Sequence, residues 1–238
     1  MSAPVSVVIP TLEAADRIGP CLGALGEAVM EGVIHEVIVA DGGSADAIAE
    51  VAEAVGARLV ITPRGRGKQL AAGARAARGD WLLFLHADTV LAPGWAAAVL
   101  AHVRTRPERA GYFALRFDTQ GNAPSPAARI VAGWANLRAA LFALPYGDQG
   151  LLISRALYDQ AGGYRPIPLM EDVALVRRIG RRRLARLDAA AVTSASRYGA
   201  DGWLWRGWRN LTTLALYFAG VAPERLARRY APGEYGGR

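Results

Sequence analysis

The sequence is poor in the residues that build disulfides and metal clusters. Its 238 residues include one cysteine, Cys21, and three histidines. An internal disulfide and a Cys/His zinc cluster are therefore both excluded. No apolar run approaches the roughly eighteen residues of a membrane-spanning helix, and the first residues, MSAPVSVVIPTLEAAD, lack a basic stretch followed by an apolar one. We expect a cytoplasmic protein, which leaves open a peripheral contact with the inner face of the cell membrane.

The chain is rich in apolar residues and in positive charge. Hydrophobic residues make up 52% of it, enough for a full core in a chain of this length. The 28 Lys and Arg residues outnumber the 21 Asp and Glu residues, which gives a net charge of +7. This excess predicts an anionic partner, such as a phosphate, a nucleotide, a nucleic acid or an anionic lipid, without choosing among them.

Strand and helix patterns alternate through the first hundred residues. The run VSVVI at Val5 to Ile9 is typical of a strand that is covered on both faces. Further strands are predicted at Glu36 to Ala40, Leu59 to Thr62 and Trp81 to Leu85, with amphipathic helices between them, the first from about Asp16. The pattern predicts an α/β fold with a Rossmann-like, mostly parallel sheet flanked by helices.

The second half is less regular, and no internal repeat divides the chain. We expect one domain over residues 1–238, with a nucleotide-binding half at 1–105, an irregular half at 106–200 and a C-terminal helical segment at 201–238. Ile130, Trp134, Leu137 and Leu141 fall on one face of a predicted helix. Trp134 is predicted to be a core residue, together with Trp81 and Trp95.

Polar residues follow three of the predicted strands. Thr11 and Glu13 come after the first strand, Asp41 after the second, and His86-Ala87-Asp88 after WLLFL. Ligands of open parallel sheets bind beyond the carboxyl ends of the strands, so these side chains predict a site at one edge. The alternative is that the two aspartates only cap turns, where Asp is common.

Two further segments carry charges suited to a phosphate or a proton transfer. The stretch from Arg64 to Gln69, RGRGKQ, is basic and begins a helix, which favours phosphate binding. It is not a P-loop, because Gln69 stands where Ser or Thr should follow the lysine. Lys68 is a candidate for a donor contact or else a solvated helix residue. Glu171-Asp172 begins another helix, where the pair either does chemistry or only caps the helix.

Four segments together carry a resemblance to a known family. VSVVIPTLEAADRI, EVIVADGGSADAIAEVA, GDWLLFLHADTVLAPGW and MEDVALVRRI resemble, in this order, the motifs of the family 2 glycosyltransferases of the GT-A fold. The resemblance extends to about Arg197 and implies a single GT-A domain whose 106–200 half faces the acceptor. Compact stand-alone members with His-Ala-Asp in place of Asp-x-Asp, and with a GDQG segment, are most similar. Some of these are associated with arsenosugar biosynthesis.

The resemblance implies a site for a nucleotide-sugar donor, with UDP favoured because Asp41 resembles the residue that accepts a hydrogen bond from uracil. Asp88 is the implied ligand of Mn²⁺ or Mg²⁺. His86 stands where the family has its first Asp, so it either contacts ribose or phosphate or makes the site prefer Mn²⁺, since imidazole binds Mg²⁺ poorly. The implied donor-binding residues are Pro10, Thr11, Glu13, Asp41, Gly42, Gly43, Lys68, His86, Ala87 and Asp88.

The acceptor side follows from the same resemblance. Asp172 takes the role of general base in an inverting transfer, and Glu171 orients the acceptor. The sugar pocket is assigned to Gly147, Asp148, Gln149 and Arg197, of which Arg197 is expected to meet the diphosphate. The acceptor is a small molecule or a lipid-linked one, and the absence of a Gln-x-x-Arg-Trp motif argues against processive polymer synthesis.

Two other functions are weighed against this one. A sugar-phosphate nucleotidylyltransferase should have a glycine-rich basic loop after the first strand, where this chain has PTLEA. A basic nucleic-acid-binding module should gather its charge into one patch with exposed aromatics, whereas the arginines from Arg177 to Arg183 cluster beside the acid pair. We therefore expect no nucleic-acid partner.

The C-terminal segment interleaves Trp203, Trp205 and Trp208 with arginines before a short apolar stretch. This composition suits a membrane interface. It equally suits a helix that closes over the acceptor site or pairs with a second subunit in a homodimer, and the sequence leaves these alternatives open.

Overall fold

A computed structural model describes residues 4–118, 125–194 and 203–230. Within them lies one eight-stranded sheet. Its strands are β1 (Val5–Thr11), β2 (Ile34–Asp41), β3 (Arg58–Ile61), β4 (Trp81–Phe84), β5 (Thr89–Leu91), β6 (Ala110–Asp118), β7 (Leu151–Ser154) and β8 (Leu184–Ser194). The helices are α1 (Gly19–Met30), α2 (Ile48–Ala54), α3 (Arg66–Ala76), α4 (Trp95–Thr105), α5 (Pro126–Phe142), α6 (Arg155–Gln160), α7 (Glu171–Ile179), α8 (Trp203–Phe218) and α9 (Pro223–Tyr230).

The strands lie in the order β3-β2-β1-β4-β7-β6-β8-β5. β3, β2, β1 and β4 are parallel to one another, as predicted for the first half. β7 runs antiparallel to both β4 and β6, and β5 runs antiparallel to β8. β6 and β8 are parallel, so the sheet is mostly parallel with a reversed strand near its middle.

Successive residues of the central strands enter two different cores. Val8, Ile38 and Leu82 point to one face of the sheet, while Val7 and Leu83 point to the other. Since side chains alternate along a strand, a strand covered on both faces needs apolar residues at every position. This explains the uninterrupted runs VSVVI and WLLFL.

The structure corrects the prediction for Trp134. Trp81 and Trp95 are buried, as predicted, but Trp134 is 41% exposed. α5 instead buries small residues, Ala128, Ala135 and Ala139, against the rest of the molecule. The apolar residues of α5 do lie on one face of the helix, but this face points outward. Periodicity alone does not say which face of a helix is buried.

The edges of other elements also differ from the predictions. α1 begins at Gly19 rather than near Asp16, whereas α3 begins at Arg66, within the basic stretch that was predicted to begin a helix. The long strand β8 was not predicted, because its alanine-rich sequence, LARLDAAAVTS, lacks the β-branched run that marks β1. Among the described residues, no helix combines the length and the apolar character needed to cross a bilayer.

Candidate active site

The carboxyl ends of β1 and β2 meet at Asp41. The Asp41 Oδ1 accepts hydrogen bonds from the Thr11 hydroxyl at 3.0 Å and the Ser44 hydroxyl at 2.6 Å. Its Oδ2 accepts from the backbone N–H groups of Gly43 at 2.9 Å and Ser44 at 2.8 Å. Burial alone would raise the pKa of Asp41, but the hydrogen bonds from Ser44, Thr11 and Gly43 outweigh it and hold the pKa below its ordinary value. The carboxylate is therefore built to stay ionised.

The loop after β1 is fastened to the loop after β2. The Glu13 N–H donates to the Ser44 hydroxyl, and the Glu13 carboxylate accepts from the Ala45 N–H, each at 2.9 Å. Glu13 adopts the left-handed region with φ of +48°, which is uncommon for a residue with a side chain. The predicted donor residues Thr11, Glu13 and Asp41 thus lie together, with Gly42 and Gly43 in the same turn and Pro10 at the preceding position of β1.

Gln69 joins these strand ends from behind. Its buried side-chain amide donates to the carbonyl oxygens of Thr11 at 2.5 Å and of Ala40 at 3.1 Å. A Cβ on Gly42 would lie 3.1 Å from Gln69 Nε2, so the turn passes close to this amide. In the sequence, Gln69 served only to reject a P-loop. Its polar side chain in the first turns of an alanine-rich helix was the one local indication that it binds backbone groups. Lys68 itself is exposed.

His86, Ala87 and Asp88 follow β4 and are all half-buried. The Cys21 thiol donates to the His86 carbonyl oxygen at 3.5 Å, which places the start of α1 beside this segment. Burial, together with the negative charge of Asp88, raises the pKa of Cys21 to about 12. Cys21 is therefore an inert core residue, and Asp88 lies close enough for its charge to be felt there.

The acid pair, Glu171 and Asp172, lies in the first turn of α7, across from His86 and Arg66. Glu171 is only 3% exposed, and its Oε1 lies 3.1 Å from the Arg66 Nε. Burial raises the pKa of Glu171 to about 7, although Arg66 acts to lower it. Arg66 was not singled out from the sequence, because 105 positions separate it from its partner and nothing local signals the pairing.

Asp172 is held by two backbone groups. Its Oδ2 accepts from the Gly147 N–H at 2.8 Å, and its Oδ1 accepts from the Val173 N–H at 2.7 Å. A Cβ on Gly147 would clash with the Arg66 guanidinium and the His86 ring. Gly147 thus brings the segment before β7 against both sides of the site, and a narrow cleft opens here, lined among others by Arg66, His86, Gly147, Tyr164 and Asp172.

Asp148 and Gln149, which follow Gly147, differ in their hydrogen bonding. Gln149 is fully buried, and its side chain is engaged with the Phe113 carbonyl at 3.2 Å and the Tyr146 N–H at 3.3 Å. Asp148 Oδ1 is buried with no hydrogen-bond partner among the described residues. Burial raises the pKa of Asp148; Arg138 opposes this rise, and the charges of Asp172 and Asp88 add to it. The charges of Asp172 and Asp88 thus both reach Asp148 across this cleft.

Two further predictions concern Arg197 and the metal site. Arg197 lies outside the described residues, so its place is not given. Within the described part of the chain, no group of three or more His, Cys, Asp and Glu side chains is arranged to hold a metal ion.

The arrangement is that of an α/β sheet edge facing an acid pair. The sequence model of "Glycosyl transferase family 2" matches residues 6–143, more than half of the chain. The chain therefore belongs to glycosyl transferase family 2.

Curated relatives match a shorter part of the chain. Glucosyl-3-phosphoglycerate synthase of Mycolicibacterium paratuberculosis is 35% identical over 96 residues, which are 36% of this chain and 29% of that protein. A PGL/p-HBAD biosynthesis glycosyltransferase of Mycobacterium bovis is 35% identical over 99 residues, 38% of each chain. The matches thus span about a third of the length of these relatives.

Solved structures share the fold. S. aureus TarS 1-349, in complex with UDP-GlcNAc, superposes with a TM-score of 0.61 at 16% identity, over 80% of this chain and 58% of that one. Glucosyl-3-phosphoglycerate synthase from Mycobacterium tuberculosis, in complex with Mn²⁺, UDP and glucosyl-3-phosphoglycerate, gives a TM-score of 0.56 at 22% identity, over 81% and 70%. The predicted GT-A-like α/β fold is confirmed.

Proposed function

We propose that this chain transfers a single sugar from a nucleoside diphosphate donor, with UDP favoured, to a small-molecule or lipid-linked acceptor, with inversion at the anomeric carbon. The observation that carries the proposal is the bridge across the cleft. Arg66, on the helix that follows the donor-side strands, pairs with Glu171, while Gly147 binds Asp172 and packs on His86. Donor-side and acceptor-side groups thus face a common space.

Asp172 is proposed as the general base. An inverting transfer needs a base within hydrogen-bond reach of the attacking hydroxyl. Asp172 lines the cleft, and each of its oxygens keeps accepting capacity beyond the single backbone hydrogen bond it accepts. Glu171 suits this role less well, because it is buried and its charge is paired with Arg66. We assign Glu171 to holding Arg66 and orienting the acceptor side.

On the donor side, Asp41 is the proposed acceptor for the base of the nucleotide, with Pro10, Thr11, Glu13, Gly42, Gly43 and Lys68 around it. The preformed loop contacts of Asp41 support this assignment, since a rigid acceptor loses little entropy on binding. Asp148, with its unpaired buried oxygen, is proposed to accept a hydrogen bond from a sugar hydroxyl. Arg197 is kept as the proposed diphosphate contact.

A divalent cation fits this cleft. Mg²⁺ and Mn²⁺ are bound in nucleotide sites by one or two carboxylates together with phosphate oxygens and water. Asp88 lies at the exit of β4, and its charge reaches Asp148, whose Oδ1 is unpaired. Asp88 would hold the ion, His86 would contact ribose or phosphate, and the ion would supply charge stabilisation to the departing diphosphate. The structural relative that carries Mn²⁺ with UDP supports the same choice.

Family membership favours sugar transfer over nucleotidylyl transfer and over nucleic-acid binding. On the basis of its His-Ala-Asp and GDQG segments, we also propose that the chain is one of the compact members of the family, a group that includes proteins associated with arsenosugar biosynthesis.

The first experiment changes the proposed base. Asp172→Asn keeps the shape and can still accept the Gly147 hydrogen bond, but it cannot take a proton. We expect the transfer rate to fall at least about a hundredfold, with the affinity for UDP unchanged. The matched control is Asp159→Asn, an exposed carboxylate on α6. Transfer by Asp172→Asn at the wild-type rate would remove this residue as the base.

The second experiment tests the donor and the ion. Thermal unfolding is measured with UDP, GDP, CDP and TDP, each with and without Mn²⁺, because a ligand of the native state raises its stability. We expect the largest rise with UDP plus Mn²⁺ and expect Asp88→Ala to lose the contribution of Mn²⁺. Equal rises with all four nucleotides, or an unchanged Mn²⁺ contribution in Asp88→Ala, would contradict the assignments.

A further inference from the structure

Most of the exposed large hydrophobic side chains gather on two helices. Of the thirteen among the described residues, nine lie on α5 and α8. We call these nine the α5/α8 surface: Ile130, Trp134, Leu137, Leu141 and Phe142 on α5, and Trp205, Trp208, Leu211 and Phe218 on α8. Isolated exposed apolar residues are normal, but clusters of this kind mark interaction sites.

Both helices point this surface outward by their sequence pattern. On α5, the residues at 130, 134, 137 and 141 form one narrow stripe, and alanines occupy the buried side. On α8, the exposed residues share one side, while Thr213 and Leu214 are buried. α5 contacts α8, so the two stripes lie on neighbouring helices. Trp205 and Trp208 are 63% and 62% exposed.

Arginines are attached to the margin of the surface. The Arg177 guanidinium lies 4.9 Å from the ring centroid of Phe218, and Arg181 donates to the Leu141 carbonyl oxygen at 2.8 Å. Arg129 is exposed on α5 beside Ile130. No Asp or Glu occurs in residues 125–147 or 203–223. The apolar side chains are thus accompanied by positive charge without compensating acids on the two helices.

We propose that the α5/α8 surface docks this protein onto a lipid bilayer that contains anionic headgroups. Tryptophan is enriched where apolar and polar phases meet, and helices with an apolar face and basic neighbours lie in the plane of that interface. Each arginine near an anionic surface adds to the attraction. A second copy of this chain is a poorer occupant, because a two-fold interface would bring the arginines of both copies together.

The test is co-sedimentation with vesicles of phosphatidylcholine alone and of phosphatidylcholine mixed with phosphatidylglycerol. We expect binding to the mixed vesicles that weakens as salt is added, and little binding to the neutral ones. The double variant Trp134→Ser/Trp208→Ser should lower the partition coefficient at least about tenfold, since it removes two interfacial indoles. Its matched control, Met30→Ser/Val55→Ser, removes two exposed apolar side chains elsewhere and should bind as the wild type does.

Charge is tested separately. Arg129→Glu/Arg177→Glu should lower binding to the mixed vesicles, whereas Arg104→Glu/Arg106→Glu, the same charge change on and next to α4, should leave most of it. Thermal unfolding shows that each variant is folded. Wild-type binding by the double tryptophan variant, or no vesicle binding by the wild type, would overturn the proposal. So would light scattering that finds a dimer which Trp134→Ser/Trp208→Ser dissociates.

Discussion

Asp41 and Glu171 are both buried carboxylates, but their pKa values are shifted in opposite directions. Asp41 accepts four hydrogen bonds from residues within its own loop and the neighbouring strand, and its pKa lies below the ordinary value. Glu171 depends on one half-exposed arginine, and its pKa is raised to about 7. Burial raises the pKa of both carboxyls; at Asp41 the hydrogen bonds outweigh it, whereas at Glu171 Arg66 opposes it incompletely and the negative charge of Asp172 adds to it.

This difference separates the two halves of the site. The donor half is fixed by hydrogen bonds between the neighbouring ends of β1 and β2, to which Gln69 adds. The acceptor half depends in addition on Arg66 of the donor half, whose contact with Glu171 exists only when both halves have folded together. We therefore expect a change at Asp41 to lower stability at neutral pH and to lose part of its effect at acid pH, and a change at Glu171 to act most as the pH rises toward neutral.

The largest expected effect comes from Asp41→Ala. The substitution leaves the N–H groups of Gly43 and Ser44 and two hydroxyls without their shared acceptor, and orphaned buried donors cost about 1–3 kcal/mol each before relaxation. We expect the free energy of unfolding to fall by about 3 kcal/mol in urea titrations. Asp16→Ala, at an exposed carboxylate, is the control and should change it by less than about 0.5 kcal/mol. An equal loss in both would show that the loop is not preformed.

The junction between the halves is tested by Gly67→Ala. A Cβ at Gly67 would clash with the Arg165 carbonyl oxygen and lie 2.9 Å from that of Ile167, and backbone cannot rotate away. We expect a loss of about 2 kcal/mol from overpacking. The control, Gly26→Ala on α1, has open space around the new Cβ and should be neutral or slightly stabilising. Calorimetry that gives the same melting temperature for both variants would contradict the close approach.

The smallest effect is the pH dependence of Glu171. Its pKa is about 7 in the folded chain and about 4.3 in an unfolded one, so the folded state binds more protons between these values and stability falls as pH rises through them. Relative to wild type, Glu171→Gln should gain stability on the order of 1 kcal/mol between pH 5 and 7, because its amide releases no proton as the pH rises. A constant difference across this range would show an ordinary pKa.

Asp41 has the opposite sign and provides the contrast. Its lowered pKa contributes stability that is present above about pH 4, the unfolded value, and is lost as pH falls below it. The wild-type curve should thus lose stability at the acid end through Asp41 and toward neutral pH through Glu171. Asp41→Ala should remove only the first of these losses.

Much of the donor half was accessible from the sequence because its signals are local. The β-branched run of β1 and the apolar run of β4 predicted two central strands, and the polar residues at the ends of β1 and β2 were predicted to meet at one edge. Thr11 and Asp41 do meet, at 3.0 Å between oxygen atoms. The assignment of these residues to a nucleotide stays a prediction.

The acceptor half was less accessible because its contacts join distant positions. Arg66 and Glu171 are both visible in the sequence, but only the folded sheet brings the two side chains together. The apolar stripe of α5 shows another limit, since its period identifies a face without saying whether alanines or large residues pack inward. Gln69 shows a third, because a buried amide that serves backbone carbonyls looks like any polar residue of a helix.

The reversed strand β7 has a consequence for how the family can vary. Because β7 runs against β4, the segment that enters β7 lies at the same edge as the segments that leave β1, β2 and β4. The loops that leave β1, β2 and β4 thus come from the first half of the chain, whereas the segment that enters β7 comes from the second half. A change in the segment before β7 that keeps Gly147 can reshape one wall of the cleft while the strand register of β1, β2 and β4 stays intact.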